Sequence, residues 1–340
     1  MMLQIDGRMG EGGGQVLRAS LALSLVTGKP FVIEDIRGGR SKPGLLRQHL
    51  AAVRAAAEIS DAELSEVSVG SSRLEFHPQK ISGGDYQFAV GSAGSASLVL
   101  QTVLTPLLLA DAPSRLQFEG GTHNPMAPPV HFVQQTFIPR LSEMGAKISV
   151  TLDRFGFYPA GGGRFSAEIE PCAKHVRLDL MDRPANVKLK AIAYVSQIPE
   201  SVGRRELKTL ADELPLPLDL SEIVVVPDAI GPGNALTVSI ESERMVEVIT
   251  GFGERGTAAE RVAKKVSNAV KRYLKAGAPV GAHLADQLIV PMAVGAGGRF
   301  RTLPPSRHLE TVVEITRRFL DVDISLTPTD AIAWDVEVTT

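Results

Sequence analysis

His308 follows two prolines, a serine and an arginine (PPSRH, residues 304–308) and leads an apolar run, HLETVVEITRRFL, whose spacing predicts a helix. An imidazole at a helix N-terminus lies among unpaired backbone N–H groups and a partial positive charge. That field and the neighbouring Arg307 disfavour imidazolium, so the ring is expected to be neutral and nucleophilic at pH 7. A neutral imidazole can attack a phosphorus centre, and cations and amides beside it would hold the incoming phosphate oxygens. The plainer reading of the same residues is a capping or surface histidine.

Two glycine-rich stretches offer phosphate a seat. DGRMGEGGGQVLRAS sets Glu11 before Gly12, Gly13 and Gly14, with Arg18 on the helix that follows. Either the glycines simply turn a corner and Glu11 is favoured by the helix dipole, or they admit phosphate to the backbone while Glu11 holds magnesium through oxygen. RGGRSKPGLLRQH places Arg37, Arg40, Lys42 and Arg47 close together, with Gln48 and His49 following. Such a run is commonly a solvated face, but glycines between arginines make a loop that can fold guanidiniums around an anion. His77, His123, His131, His175 and His283 show no metal-ligand spacing, and no GKS or GKT phosphate loop occurs. These histidines are expected to be structural or exposed.

The elements that must carry these residues recur. A glycine-opened helix (EGGGQVLRASLALSLVTG), a strand (FVIEDI), a loop (RGGRSKPG) and a second helix (LLRQHLAAVRAAAEI) form one set. GSAGSASLVLQTVLTPLLLA, SRLQFEG, GTHNPMAPP and VHFVQQTFIPRLSEMG form another, and GAHLADQLIVPMAVG, RFRTL, PPSR and HLETVVEITRRFL a third. The fold expected is therefore α/β (α+β) with three repeated units. The pattern breaks between the second and third sets, which predicts a smaller inserted α/β domain over 185–278 and a main domain of 1–184 and 279–340. The basic helix of that insert (Arg261, Lys264, Lys265, Lys271, Arg272, Lys275) either touches nucleic-acid backbone or is a solvated amphipathic face.

Bulk properties narrow the classes. The chain has 340 residues, a formal net charge of −2 and 5% aromatics, which argues against a basic, ring-lined nucleic-acid groove. Cys172 is the sole cysteine, excluding an intrachain disulfide and suiting a reducing cytoplasm. The N-terminus lacks the character of a signal peptide, and the apolar stretch from Leu98 to Ala110 is expected to be a buried helix, too short to span a bilayer.

DGRMGEGGGQVLR, RGGRSKPGLLRQH, GSAGSASLVLQTVL, GGTHNPMAPP, GFYPAGGG, HLADQLIVPMA and PPSRHLET together resemble the RNA 3'-terminal phosphate cyclases over nearly the whole chain. The resemblance implies three units like the C-terminal domain of a translation initiation factor, with a smaller domain inserted before the last. It implies an ATP-dependent ligase-type activity: AMP passes from ATP to His308, then to an RNA 3'-phosphate, and the 2'-hydroxyl displaces AMP to close a 2',3'-cyclic phosphate. ATP would be ringed by Arg18, Gln48, Gln101, Pro128, His283, Leu284, Ala285, Asp286 and Gln287, the RNA phosphate by Arg37, Arg40 and His49, and Mg2+ or Mn2+ held by Glu11. His283 stands where the family often has tyrosine, and Arg307 is not a general family residue. No membrane and no obligate protein partner is implied. Two rivals share parts of this pattern: the cyclase-like ribosome-biogenesis proteins, which lack the adenylation chemistry, and the enolpyruvyl transferases, which build related repeats around a phosphate-rich cleft.

Overall fold

The computed structural model describes residues 2–215 and 217–340, a mixed α/β protein whose described strands form four sheets of four. The first segment runs β1 (Leu3–Asp6), α1 (Gly14–Thr27), β2 (Phe31–Glu34), α2 (Arg47–Glu58), β3 (Glu63–Leu64) and β4 (Leu74–His77). The second runs β5 (Asp85–Ala89), α3 (Ser97–Leu107), β6 (Ser114–Gly120), α4 (Val130–Phe132), a π-helical turn (Val133–Phe137), α5 (Ile138–Glu143), β7 (Lys147–Arg154) and β8 (Gly163–Glu170). After β9 (Leu178–Leu180) come β10 (Lys188–Ser196), α6 (Ser201–Glu213), β11 (Leu218–Val225), β12 (Gly233–Glu241), β13 (Val246–Phe252) and α7 (Ala259–Ala276). The chain closes with α8 (Ala282–Val294), β14 (Gly298–Thr302), α9 (Arg307–Phe319), β15 (Asp323–Pro328) and β16 (Trp334–Thr339).

Three of these sheets follow one plan. Their orders are β1-β2-β4-β3, β5-β6-β8-β7 and β9-β14-β16-β15, in each a parallel first pair followed by antiparallel neighbours. Each segment thus opens on a short strand ahead of its first helix, one element earlier than the sequence pattern suggests. LQID, DYQFA and LDL are too short for period-2 alternation to register, and only pairing with a distant partner makes them strands. Because β9 pairs with β14, the segment from β10 to α7 lies inside the third of these arrangements, after its first strand, whereas the sequence places it before the third set begins.

The helices α1, α2, α3, α8 and α9 pack on one another, and the three sheets contribute to the same core. Helix α1 is buried on most sides, its apolar residues and small serines alike, with Gln15 and Arg18 as its large polar side chains. Helix α9 buries Leu309, Val312, Val313, Ile315 and Phe319 while Glu310, Glu314, Arg317 and Arg318 face water. Each such apolar side chain contributes roughly 1.5–3 kcal/mol. The segment from β10 to α7 has its own sheet and a separate core of Leu189, Leu210, Leu236, Val238, Val266 and their neighbours. On α7, Lys264 and Lys271 pair with Glu213 of α6, so part of the basic face is spent inside this segment.

VHFVQQTFIPRLSEMG is patterned as one helix but is interrupted by the π-helical turn. Pro139 has no N–H to return to the carbonyl of Gln135, and the widened turn absorbs the missing bond. Of the stretch Leu98 to Ala110, the part up to Leu107 forms the buried helix α3, while 108–110 turn out of it with Leu109 exposed, and among the described residues no helix is long and apolar enough to cross a membrane.

Candidate functional site

The two glycine-rich stretches meet backbone to backbone. Gly12 has φ of 60°, a Cβ there would lie 2.8 Å from Gly39 Cα, and Gly39 N–H donates to Gly12 O at 3.1 Å. At Gly14 a Cβ would lie 2.3 Å from His49 Nε2. These glycines therefore have a packing reason of their own. The loop is fastened to α9 as well, because Glu11 N–H donates to Thr311 Oγ1 at 2.9 Å. The Glu11 side chain is only 5% exposed; its carboxylate pairs with Arg40 and accepts the backbone N–H of Gln15 at 3.3 Å.

His308 is the second residue of α9, two positions after the Ser306 cap, whose side chain accepts Leu309 N–H. Its Nδ1 lies 2.6 Å from Gln15 Oε1, and Gln15 Nε2 donates to Asp286 Oδ2 at 3.0 Å. The Asp286 carboxylate of α8 thus reaches His308 through a glutamine of α1. An ionised Asp286 can only accept, so it takes the amide NH2 of Gln15 and leaves the amide oxygen facing the imidazole. Nδ1 must then carry the proton, and Nε2 keeps its lone pair. Nε2 has no hydrogen-bond partner among the described residues.

Charge and burial act together here. His308 is held below its usual range by desolvation, then by Arg18 and by Arg40. Arg307 is exposed at the first helical position and is not among those cations, which corrects the expectation that it keeps the ring neutral. Arg18 is pushed down to about 10 by desolvation, with Asp286 opposing; Asp286 is pushed up to about 7 by burial, with Arg18 opposing. A cavity of about 560 Å3, including its open mouth, lies between α1, α3, α8 and α9, and Gln15, Arg18, Gln101, Asp286, Gln287 and Phe137 line it. Gln101 Nε2 donates to Gln287 Oε1 at 2.5 Å, and Gln287 Nε2 to His283 O at 2.8 Å.

The other residues picked out by sequence fall around this centre. His283 is exposed one helical turn from Gln287, whereas Leu284 and Ala285 turn their side chains into the core, leaving only backbone for a ligand. Gln48 Oε1 accepts Ser95 N–H at 3.0 Å, and Pro128 O accepts the Ser97 hydroxyl at 2.6 Å; neither residue lines the cavity. Arg37, with φ of 56°, donates to the carbonyls of Lys42 and Gly44 and so shapes its own loop. His49 accepts Leu46 N–H at Nδ1, which leaves its proton on Nε2 beside Gly14; burial, then Arg18 and Arg37, push it down to about 3.

Sequence reasoning passed over Gln15, although it occupies the first turn of the glycine-opened helix, and Thr311, one turn beyond His308. His123 and His131, expected to be structural or exposed, are structural. They lie 2.9 Å apart, Nε2 to Nδ1, among Phe155, Phe157 and Tyr194. No group of three or more acidic, histidine or cysteine side chains able to hold a metal occurs among the described residues. Glu11, buried and paired with Arg40, could serve a cation only where that pair opens, the cation completing its shell with phosphate and water as magnesium commonly does.

Similarity to known proteins covers the same chain. The family model described as RNA 3'-terminal phosphate cyclase matches residues 9–326. An RNA 3'-terminal phosphate cyclase from Koribacter versatilis (strain Ellin345) is 48% identical over 96% of this chain and 92% of its own. One from Salmonella enteritidis PT4 (strain P125109) is 46% identical over 97% of each. Among solved structures, the enolpyruvyl transferase NikO from Streptomyces tendae aligns with 98% of this chain and 47% of its own, at 9% identity and a TM-score of 0.37, a likeness too slight to carry an argument.

Proposed function

The chain belongs to the RNA 3'-terminal phosphate cyclase family, and from that membership we propose an ATP-dependent cyclase that works through a covalent adenylate on His308. The observation that supports this most is the chain from His308 through Gln15 to Asp286, which leaves Nε2 unspent beside Arg18 and Arg40. Nε2 attacks the α-phosphorus of ATP, an N–P bond forms and pyrophosphate departs with the broken P–O bond. An oxygen of the RNA 3'-phosphate then attacks the same phosphorus and frees the imidazole. The 2'-hydroxyl, losing its proton, attacks the 3'-phosphorus and AMP leaves, closing the 2',3'-cyclic phosphate. Activation is needed because an unactivated phosphate oxygen leaves poorly, and ring closure is assisted because its nucleophile is already placed.

In this reading Arg18, Gln101, Asp286 and Gln287 surround ATP from the cavity, with His283, the backbone of Leu284 and Ala285, Gln48 and Pro128 around it. Arg40 meets the RNA phosphate directly, while Arg37 and His49 act through the loops they hold. A divalent cation, Mg2+ or Mn2+, held by Glu11 would offset the charge of the polyphosphate. We read the three like-ordered sheets as copies of one unit of the initiation-factor type, and 185–278 as an inserted domain; the shared strand order and the separate core support this. A reducing cytoplasmic setting suits the lone Cys172.

The test is incubation with α-labelled ATP and magnesium or manganese, without RNA. An acid-labile, alkali-stable adduct is expected in the wild type and absent from His308→Asn; no wild-type adduct would favour a ribosome-biogenesis role without adenylation. With a 2'-deoxy, 3'-phosphate end, the adenylated nucleic acid should accumulate and AMP release should stall.

A further inference from the structure

Two adjacent residues of one strand, Glu247 and Val248, join the segment from β10 to α7 to elements that line the cavity. β13 is an edge strand, paired only with β12 in its sheet. Its outer side is covered by the π-helical turn: Val248 N–H donates to Thr136 Oγ1 at 3.1 Å, and from β12 the Ser239 hydroxyl donates to Gln135 Oε1 at 3.3 Å. The next residue of that turn, Phe137, lines the cavity. A regular α-helical turn spaces its residues differently, and the wider π turn is what presents Thr136 to the strand and Phe137 to the cavity.

Glu247, 3% exposed, reaches the opposite wall. Its carboxyl packs against Gly281, the cap of α8: a Cβ there would lie 2.0 Å from Glu247 Oε1 and 3.0 Å from Oε2. Gly281 has φ of −72°, so glycine is required there for the space that Glu247 occupies, not for backbone conformation. Helix α8 carries Asp286 and Gln287 into the cavity. Burial pushes the Glu247 carboxyl up to about 8, which favours its neutral form, and a glutamine reproduces its shape without a charge.

We propose that the inserted segment braces the nucleotide cavity, with β13 as the strut and Glu247 as a positioning residue that sets the start of α8 while Val248 holds the π-helical turn. This rests on reading the cavity as the ATP site. Displacing either wall should weaken ATP capture while leaving the later transfer from His308 to RNA alone, since by then the nucleotide is held covalently.

The experiment compares wild type, Glu247→Gln, Glu247→Ala and Thr136→Val in the full-length protein. AMP-adduct formation is followed against ATP concentration, and transfer from already charged enzyme to RNA 3'-phosphate is followed separately. Glu247→Ala is expected to raise the KM for ATP on the order of tenfold with kcat changed less than about twofold, and Thr136→Val to raise it roughly threefold. Glu247→Gln should match wild type, and transfer rates should be equal throughout. Amide hydrogen exchange without nucleotide should quicken at residues 281–287 in Glu247→Ala and at 133–137 in Thr136→Val. Unchanged KM in both disrupting variants, or an equal fall in the transfer rate, overturns the proposal. If Glu247→Ala does not fold, Thr136→Val decides it by the same measures. If the wild type itself forms no adduct, the ATP reading fails on its own, and the exchange data alone decide the brace: unchanged exchange at both walls overturns it.

Discussion

His308 and the His123–His131 pair occupy two regions where burial disfavours imidazolium, yet only at His308 do arginines add to that effect. His123 is held well below its ordinary range and His131 is pushed down to about 4, in both cases chiefly by desolvation. Each spends a nitrogen on the other, His123 Nδ1 is a further 2.9 Å from the Thr122 hydroxyl, and aromatic rings close the remaining sides. At His308 one nitrogen is committed and the other is not, and the nearby charges are arginines suited to phosphate. A depressed pKa therefore does not by itself mark a nucleophile. The proposed role of His308 rests instead on an unspent nitrogen, oriented by its partner and near cations.

Exchanging the two kinds of site by mutation tests this. His308→Asn should abolish the AMP adduct, a loss beyond about 10³-fold, whereas His131→Phe should leave the adduct rate within roughly threefold. A comparable loss in His131→Phe would erase the distinction. Next in size, Gln15→Leu should slow adduct formation on the order of 10²-fold while the melting temperature changes little, because it frees the imidazole to take either tautomer.

Asp286 gives the comparison a pH dependence. Its pKa is about 7, and only the ionised form dictates the amide orientation of Gln15, so wild-type adduct formation should rise as pH increases through about 7. Asp286→Asn should lose that limb and react several-fold more slowly above it. An unchanged profile in the variant would remove Asp286 from the orienting chain.

The His123–His131 region should instead reveal itself in stability. Both rings have folded pKa values below the unfolded value of 6.5, so as pH falls below 6.5 the unfolded chain binds protons that the folded one refuses. Stability is full above that point and is lost as pH falls towards about 4, by roughly 2–3 kcal/mol for His131. Denaturant unfolding of wild type and His131→Phe should converge as pH falls through this window. The smallest effect is expected for Arg307→Ala: being exposed and outside the set of cations that act on His308, it should alter adduct formation less than about twofold.

Much of this was legible before any coordinates. The 3.6-residue patterning of HLETVVEITRRFL and LLRQHLAAVRAAAEI corresponds to α9 and α2, and the glycine stretches do lie at the site. Leading strands of three to five residues were not legible, because such segments become strands only when a partner accepts them. Nor was the break at Val133–Phe137: Pro139 signals an interruption, but its form depends on what the turn must reach.

The amino-acid sequence alone determined the helix that carries His308, the glycine-rich loops and, through seven long strings, the family. What only tertiary structure decided is which nitrogen of His308 is free, since Gln15 lies 293 positions away in the chain and Asp286 a further 271 from Gln15. Helix propensity and periodicity are local and are written in neighbouring residues. A hydrogen bond between α1 and α9, or a carboxyl of β13 seated on the first turn of α8, exists only because the cores bring those surfaces to within 3 Å or so of each other, where directional polar contacts form.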